Sequence, residues 1–189
     1  MPRRALTEDD VEQLMWPDSP GGTQQAHRDA AAEYEAWAAE PHPDDEVSVA
    51  NLLVSAGEQL ALADDVDGAL ALYERAVADG GESLPDARCY RIGALLTLGR
   101  DVEADAATAE LMRTRPQDPL VYEYVGEQYE FSDRLDDANR WMTAGVTRLA
   151  RDDAPVAFPL RMLMMGRRRV RQSLGFDEDE YDVIGRPSG

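Results

Sequence analysis

Few side chains in this sequence are placed to do chemistry. The two histidines, His27 and His42, fit no nucleophile–base pair or metal-ligand spacing, and His42 is flanked by prolines. Cys89, the single cysteine, excludes an intramolecular disulfide and a thiolate metal cluster. Beside Tyr90 it reads as a small apolar core residue, while neighbouring Arg88 and Arg91 keep a reactive thiolate open as the alternative. Asp65, Asp67, Gly68 and Glu74 match the third, fifth, sixth and twelfth positions of a calcium loop, but Ala63 stands where the first ligand is needed. The expectation is no catalysis, no metal and no cofactor. What remains is charge: 38 acidic residues against 19 basic ones, a formal net charge of -19, and every basic residue outside histidine an arginine. Such a surface repels nucleic-acid backbone and anionic membrane, and its carboxylates suit a cationic protein or peptide partner.

The elements that must position these carboxylates are helices in a repeat. Ala69, Ala104 and Ala138 superpose at intervals of thirty-five and thirty-four residues. In the first copy Leu53, Gly57, Leu60, Ala69, Tyr73 and Ala76 sit at spacings of four, three, nine, four and three. Tyr122, Gly126, Tyr129, Ala138, Met142 and Gly145 repeat those spacings in the third. Small residues at these places let antiparallel helices approach, with Leu or Tyr filling the groove beside them. The second copy fits less well, with Arg88, Ile92, Leu95, Ala104, Thr108 and Leu111, but Leu98-Gly99-Arg100-Asp101 reads as a helix stop followed at once by a helix start. Asp118-Pro119 opens the third copy with a cap and a first-turn proline.

This segment resembles three tetratricopeptide repeats (TPR), at about 50–84, 85–118 and 119–152. The resemblance implies an all-α, TPR-like solenoid of helix-turn-helix pairs. Arg88, at a position where the family favours a large apolar residue, is the main departure. In TPR proteins a concave groove is lined by the first helix of each pair, and by register this places Asn51, Glu58, Leu62, Leu96, Glu123, Glu127, Glu130 and Phe131 in it. The resemblance therefore implies a non-catalytic adaptor or assembly module. A groove of this acidity, without lysine, argues against the subgroup that clamps a C-terminal carboxylate and favours an arginine-bearing peptide or helix. The bland alternative is that these carboxylates only keep a solvated face soluble.

The flanks complete the expected architecture. Residues 1–22 read as a flexible arm with a short helix from Thr7 to Met15, whose Leu14, Met15 and Trp16 are costly to leave in water. Within the domain at 23–175, Gln24 to Glu40 forms an N-terminal capping helix with Ala30, Tyr34 and Trp37 on one stripe, and a C-terminal capping helix spans about 155–174. The latter carries the basic block Arg167, Arg168, Arg169 and Arg171, expected to pack toward acidic surface of its own or a neighbouring subunit. The stretch from Arg167 to Gly175 also bears a weaker resemblance to small actinobacterial TPR proteins. Residues 176–189 read as a flexible acidic tail. Two rival roles stay open: a homo-oligomer whose groove is filled by its own arm or basic helix, and an RNA-associated accessory protein acting through Arg167 to Arg171. With no apolar run resembling a signal peptide or membrane span, a cytoplasmic location is expected, and the absence of lysine points to a GC-rich or halophilic prokaryote.

Overall fold

The computed structural model describes residues 3–15, 23–150 and 156–186. Among these residues the regular structure is entirely helical: α1 (Glu8–Met15), α2 (Gln24–Ala39), α3 (Val49–Leu62), α4 (Val66–Asp79), α5 (Ala87–Thr97), α6 (Asp101–Arg113), α7 (Pro119–Phe131), α8 (Leu135–Leu149), α9 (Phe158–Ser173) and α10 (Glu180–Ile184). The chain divides into two compact units, Met1–Leu98 and Gly99–Gly189, with the boundary inside the segment expected as the second repeat.

Local chemistry sets where these helices begin and end. Ser48, Asp65, Asp86 and Asp118 each accept a hydrogen bond from a backbone N–H of the first turn that follows, which satisfies a donor the helix leaves free. Asp65 thereby caps α4, which accounts for the calcium-loop-like spacing. The turns inside the pairs share one backbone conformation, with Asp64, Gly99 and Asp133 at φ of 64°, 68° and 58°. These residues recur at the same thirty-five and thirty-four residue intervals as Ala69, Ala104 and Ala138, so the backbone repeats with the sequence. Glycine adopts this conformation without strain, and aspartate is among the side chains that tolerate it. In the first and third turns the N–H of Asp65 reaches Leu60 O and that of Arg134 reaches Tyr129 O, both at 2.9 Å.

In the first unit α3 packs on α4 and α2, and α5 packs on α4 and α3. Contact between α3 and α4 is close because Gly57 lacks a side chain; a Cβ there would fall 2.3 Å from the Tyr73 ring. Tyr34 on α2 is fully buried and donates its hydroxyl to Val11 O at 2.6 Å. That bond helps hold α1, whose Val11 is buried along with Leu6, and Arg3 pairs with Asp45 at 2.5 Å. Residues 3–15, expected to belong to a flexible arm, thus lie against the first unit. They are docked by two apolar anchors and an ion pair that the short helix alone did not reveal. Leu14 and Met15 are half-buried, Met15 O accepts from Gln59 Nε2 at 3.1 Å, and Trp16 lies outside the described residues.

The second unit contains α6 to α10. Gly126 faces Met142 and Gly145 faces Tyr122, at distances that no added side chain could occupy. Forty residues further on stand Gly166, Asp182 and Gly185, and a Cβ on Gly185 would fall 2.8 Å from the Met164 carbonyl. The expected lone cap α9 is thus joined by a short second helix, α10. The expected flexible tail is correspondingly docked up to Arg186, because Asp179 and Asp182 bind the arginines of α9.

Candidate interaction faces

On the first unit, α3 carries Asn51, Glu58 and Leu62. Asn51 is half-buried, and its backbone N–H is spent on the Ser48 cap. Burial pushes the Glu58 carboxyl up to about 7, and among the described residues it forms no ion pair. The Tyr34 hydroxyl lies close enough to feel that carboxylate, which adds to the effect of burial in raising its pKa. Leu62, one turn beyond Glu58, is 58 % exposed. Leu96 departs from the expected groove. It is only 5 % exposed and lies with Ile92 and Leu95 in the buried part of α5, so it packs the protein and is not free for a partner. The repeat register was weakest in that copy, and there the carried-over position selected a core residue.

On the second unit, Glu123, Glu127 and Glu130 follow one another at four and three residues along α7, the spacing of one helix face. Phe131 ends the helix at 77 % exposure. The Glu123 carboxyl is raised by burial and then by the charge of Glu127, with Arg169 acting in the opposite direction. The Arg169 guanidinium reaches across from α9 and donates Nε–H to Glu130 Oε1 at 2.8 Å and Nη2–H to Glu130 Oε2 at 2.7 Å. A third bond, from Nη2 to Glu127 Oε1, is longer at 3.4 Å. This is a fork-to-fork arrangement, in which a planar guanidinium matches both carboxylate oxygens.

The other three arginines of the basic block go elsewhere. Arg167 points inward, donating to Asp179 at 2.5 Å, Asp182 at 2.6 Å and Thr143 Oγ1 at 3.0 Å. Arg171 donates to the second oxygen of Asp182 at 2.8 Å and to Asp177 O at 2.7 Å, and Arg168 pairs with Glu178 at 2.9 Å. Arg167 holds the Asp179 carboxyl down to about 2. The sequence reading missed Asp179 and Asp182 as partners. A signal was present, since an acidic run follows the arginine run after a glycine stop, at a distance that lets the chain fold back.

A cleft of about 310 Å³ between α6, α7 and α8 is lined by Asp105, Thr108, Met112, Tyr129, Asp137 and Trp141, among others. Its two carboxylates are already spanned by Arg134, at 2.8 Å and 2.6 Å, so it offers no open acidic site. The residues weighed for catalysis are occupied in the structure. His27 Nδ1 lies 2.7 Å from Gln59 Oε1, His42 Nδ1 accepts from the Asp44 N–H, and Cys89 is buried. Among the described residues no group of three or more His, Cys, Asp or Glu side chains is arranged to hold a metal ion. No helix among them is long and apolar enough to cross a membrane. The chain matches no family model, no curated protein and no solved structure.

Proposed function

We propose that this protein is a non-catalytic protein–protein interaction module. In this reading it is a TPR-like repeat scaffold that takes a cationic peptide or helix on the carboxylate face of α3, in the first unit, or on that of α7, in the second. The recurrence of the left-handed turn residue at Asp64, Gly99 and Asp133 supports the repeat reading, as do the close contacts at Gly57 and Gly126. One observation carries the functional part. Glu58 and Leu62 on α3, and Glu127 and Phe131 on α7, have the same four-residue spacing and the same place in the repeat. Each pair sets a large exposed apolar side chain one turn beyond a carboxylate. A solvated face needs the acids but gains nothing from an exposed phenylalanine, whereas a binding face uses both: charge-assisted hydrogen bonds for orientation and apolar contact for affinity. A cytoplasmic site of action belongs to the same reading. The four arginines of the basic block are all engaged by carboxylates of their own chain, which leaves the RNA-associated alternative without a specific observation in its favour.

The test is an array of amphipathic peptides probed with the full chain. Bound sequences are expected to combine arginine with Leu or Phe at helical spacing, and binding is expected to fall on replacing Glu58 and Leu62, or Glu127 and Phe131, with Gln and Ala. Selection of acidic sequences, or retention of full binding by both double variants, contradicts the proposal.

A further inference from the structure

On α9, Arg169 is 51 % exposed at the side chain, and its partner Glu130 is 18 % exposed. Glu130 takes the guanidinium in two parallel hydrogen bonds, with Glu127 beside it and Phe131 exposed at the end of the same helix. We propose that Glu127 and Glu130 form an arginine-selective site, and that Arg169 occupies it as a removable stand-in for an arginine of the partner. The proposal rests on the reading of α7 as a binding face and specifies what that face recognises.

Geometry and magnitude together support exchange. The in-plane, two-pronged contact through Nε and Nη2 is one that lysine cannot make, because an ammonium is a point donor without a fixed fork. With the guanidinium half exposed and the carboxylate part-buried, the pair contributes on the order of 1 kcal/mol, so displacing it lowers the affinity of an incoming arginine by about fivefold. Glu130 is part-buried, but the guanidinium lies on the outside of α9, and the two helices it bridges are held together by α7–α9 packing independently of it. An incoming segment would place its own guanidinium on Glu130 and an apolar residue against Phe131. Arg169 would then turn to solvent, where its long side chain is readily hydrated.

The experiment measures the affinity of a fluorescein-labelled alanine–leucine peptide carrying two arginines four residues apart, and of its lysine and citrulline counterparts, for four full-length proteins. These are wild type, Arg169→Gln, Glu130→Gln and Glu58→Gln. The arginine peptide should bind Arg169→Gln up to fivefold tighter than wild type and Glu130→Gln at least tenfold more weakly than Arg169→Gln. The lysine and citrulline peptides should bind Arg169→Gln several-fold more weakly than the arginine peptide. Equal affinity of wild type, Arg169→Gln and Glu130→Gln for the arginine peptide would overturn the proposal, and so would equal binding of the arginine and lysine peptides by Arg169→Gln. If binding survives Glu130→Gln but is lost in Glu58→Gln, the assignment of this site fails while the acidic-face reading stands. If no protein binds any of the peptides, both fail. Circular dichroism of each variant before titration separates loss of binding from loss of fold.

Discussion

Arg167 and Arg169 lie two residues apart on α9, and each grips a carboxylate with two short hydrogen bonds, yet their surroundings differ greatly. The Arg167 side chain is 4 % exposed and the Asp179 it grips 37 %, with Asp182 at 1 % accepting one further bond, while Arg169 is 51 % exposed and Glu130 18 %. The contacts are alike in chemistry and opposite in consequence. Inside the α9–α10 pair, water cannot replace a lost partner, so the Arg167 cluster is a fixed clamp. At the α7 face water reaches the Arg169 guanidinium, so in the proposed reading the same kind of fork is a contact that can be exchanged. Burial of the guanidinium, more than distance, separates the structural arginine from the one proposed to be available to a partner.

The comparison is broken most forcefully by replacing Asp182 with Ala. The buried Arg167 charge then loses one of its two carboxylate partners and Arg171 loses its Asp182 bond, and the expected cost is about 3 kcal/mol. Urea denaturation reads the loss, and limited proteolysis after Gly175 shows whether α10 is released. Replacing Arg167 with Met and Asp182 with Leu together should recover much of the stability, since an apolar pair removes the stranded charges. A single loss below 1 kcal/mol would mean that the cluster is solvated in solution.

The next effect sharpens the contrast between a carboxylate with a cation and one without. Glu58 has an ordinary value of 4.5 and is pushed up to about 7 in the folded chain by burial. Below pH 4.5 it is protonated in both folded and unfolded chains and costs nothing. Between 4.5 and 7 the unfolded chain gives up its proton first, so stability falls, and above 7 the folded protein bears the full penalty of a desolvated charge. Glu58→Gln is therefore expected to be about 3 kcal/mol more stable than wild type at pH 8 and indistinguishable at pH 4. Thermal denaturation at the two pH values decides it, and an equal difference at both would show that Glu58 does not titrate in this way.

Acid tests the clamp from the other side. Asp179 is lowered from 3.8 to about 2 by its hydrogen bonds with Arg167, so its contribution is complete above pH 3.8 and is lost as the pH falls toward 2. Amide exchange in α10 should accelerate across that window before α7 and α8 respond. Simultaneous acceleration in all three would contradict it. The smallest effect is expected for Arg169→Gln, which should change stability by about 1 kcal/mol because the guanidinium it removes is half exposed.

How far the fold could be read in advance follows the same division between local and long-range causes. The helix start at Asp118 and the stop and restart at Gly99–Asp101 are written in adjacent residues, and the helices begin and end there. The close contacts at Gly57 and Gly126 were legible because the small residues repeat. Leu96 was misplaced because a register carried from neighbouring copies says nothing about which side of α5 is covered. The ordering of residues 3–15 depends on Tyr34 and Asp45, and that of α10 on Arg167 and Arg171. In both cases local composition pointed to flexibility, and a distant partner supplied the order. The carboxylate row on α7 was visible in the sequence; that its first guanidinium comes from the same chain was expressed only as an attraction between the basic block and acidic surface.

The most direct test of a guanidinium-binding face on α7 is a ¹⁵N-arginine correlation spectrum of the full chain, recorded while the two-arginine peptide is added. The account predicts that the Arg169 Nε–H signal moves to the position of a free, hydrated side chain as the peptide saturates, while the Arg167 and Arg171 signals stay in place. An Arg169 signal that does not move at saturation, or three signals that move together, would contradict it.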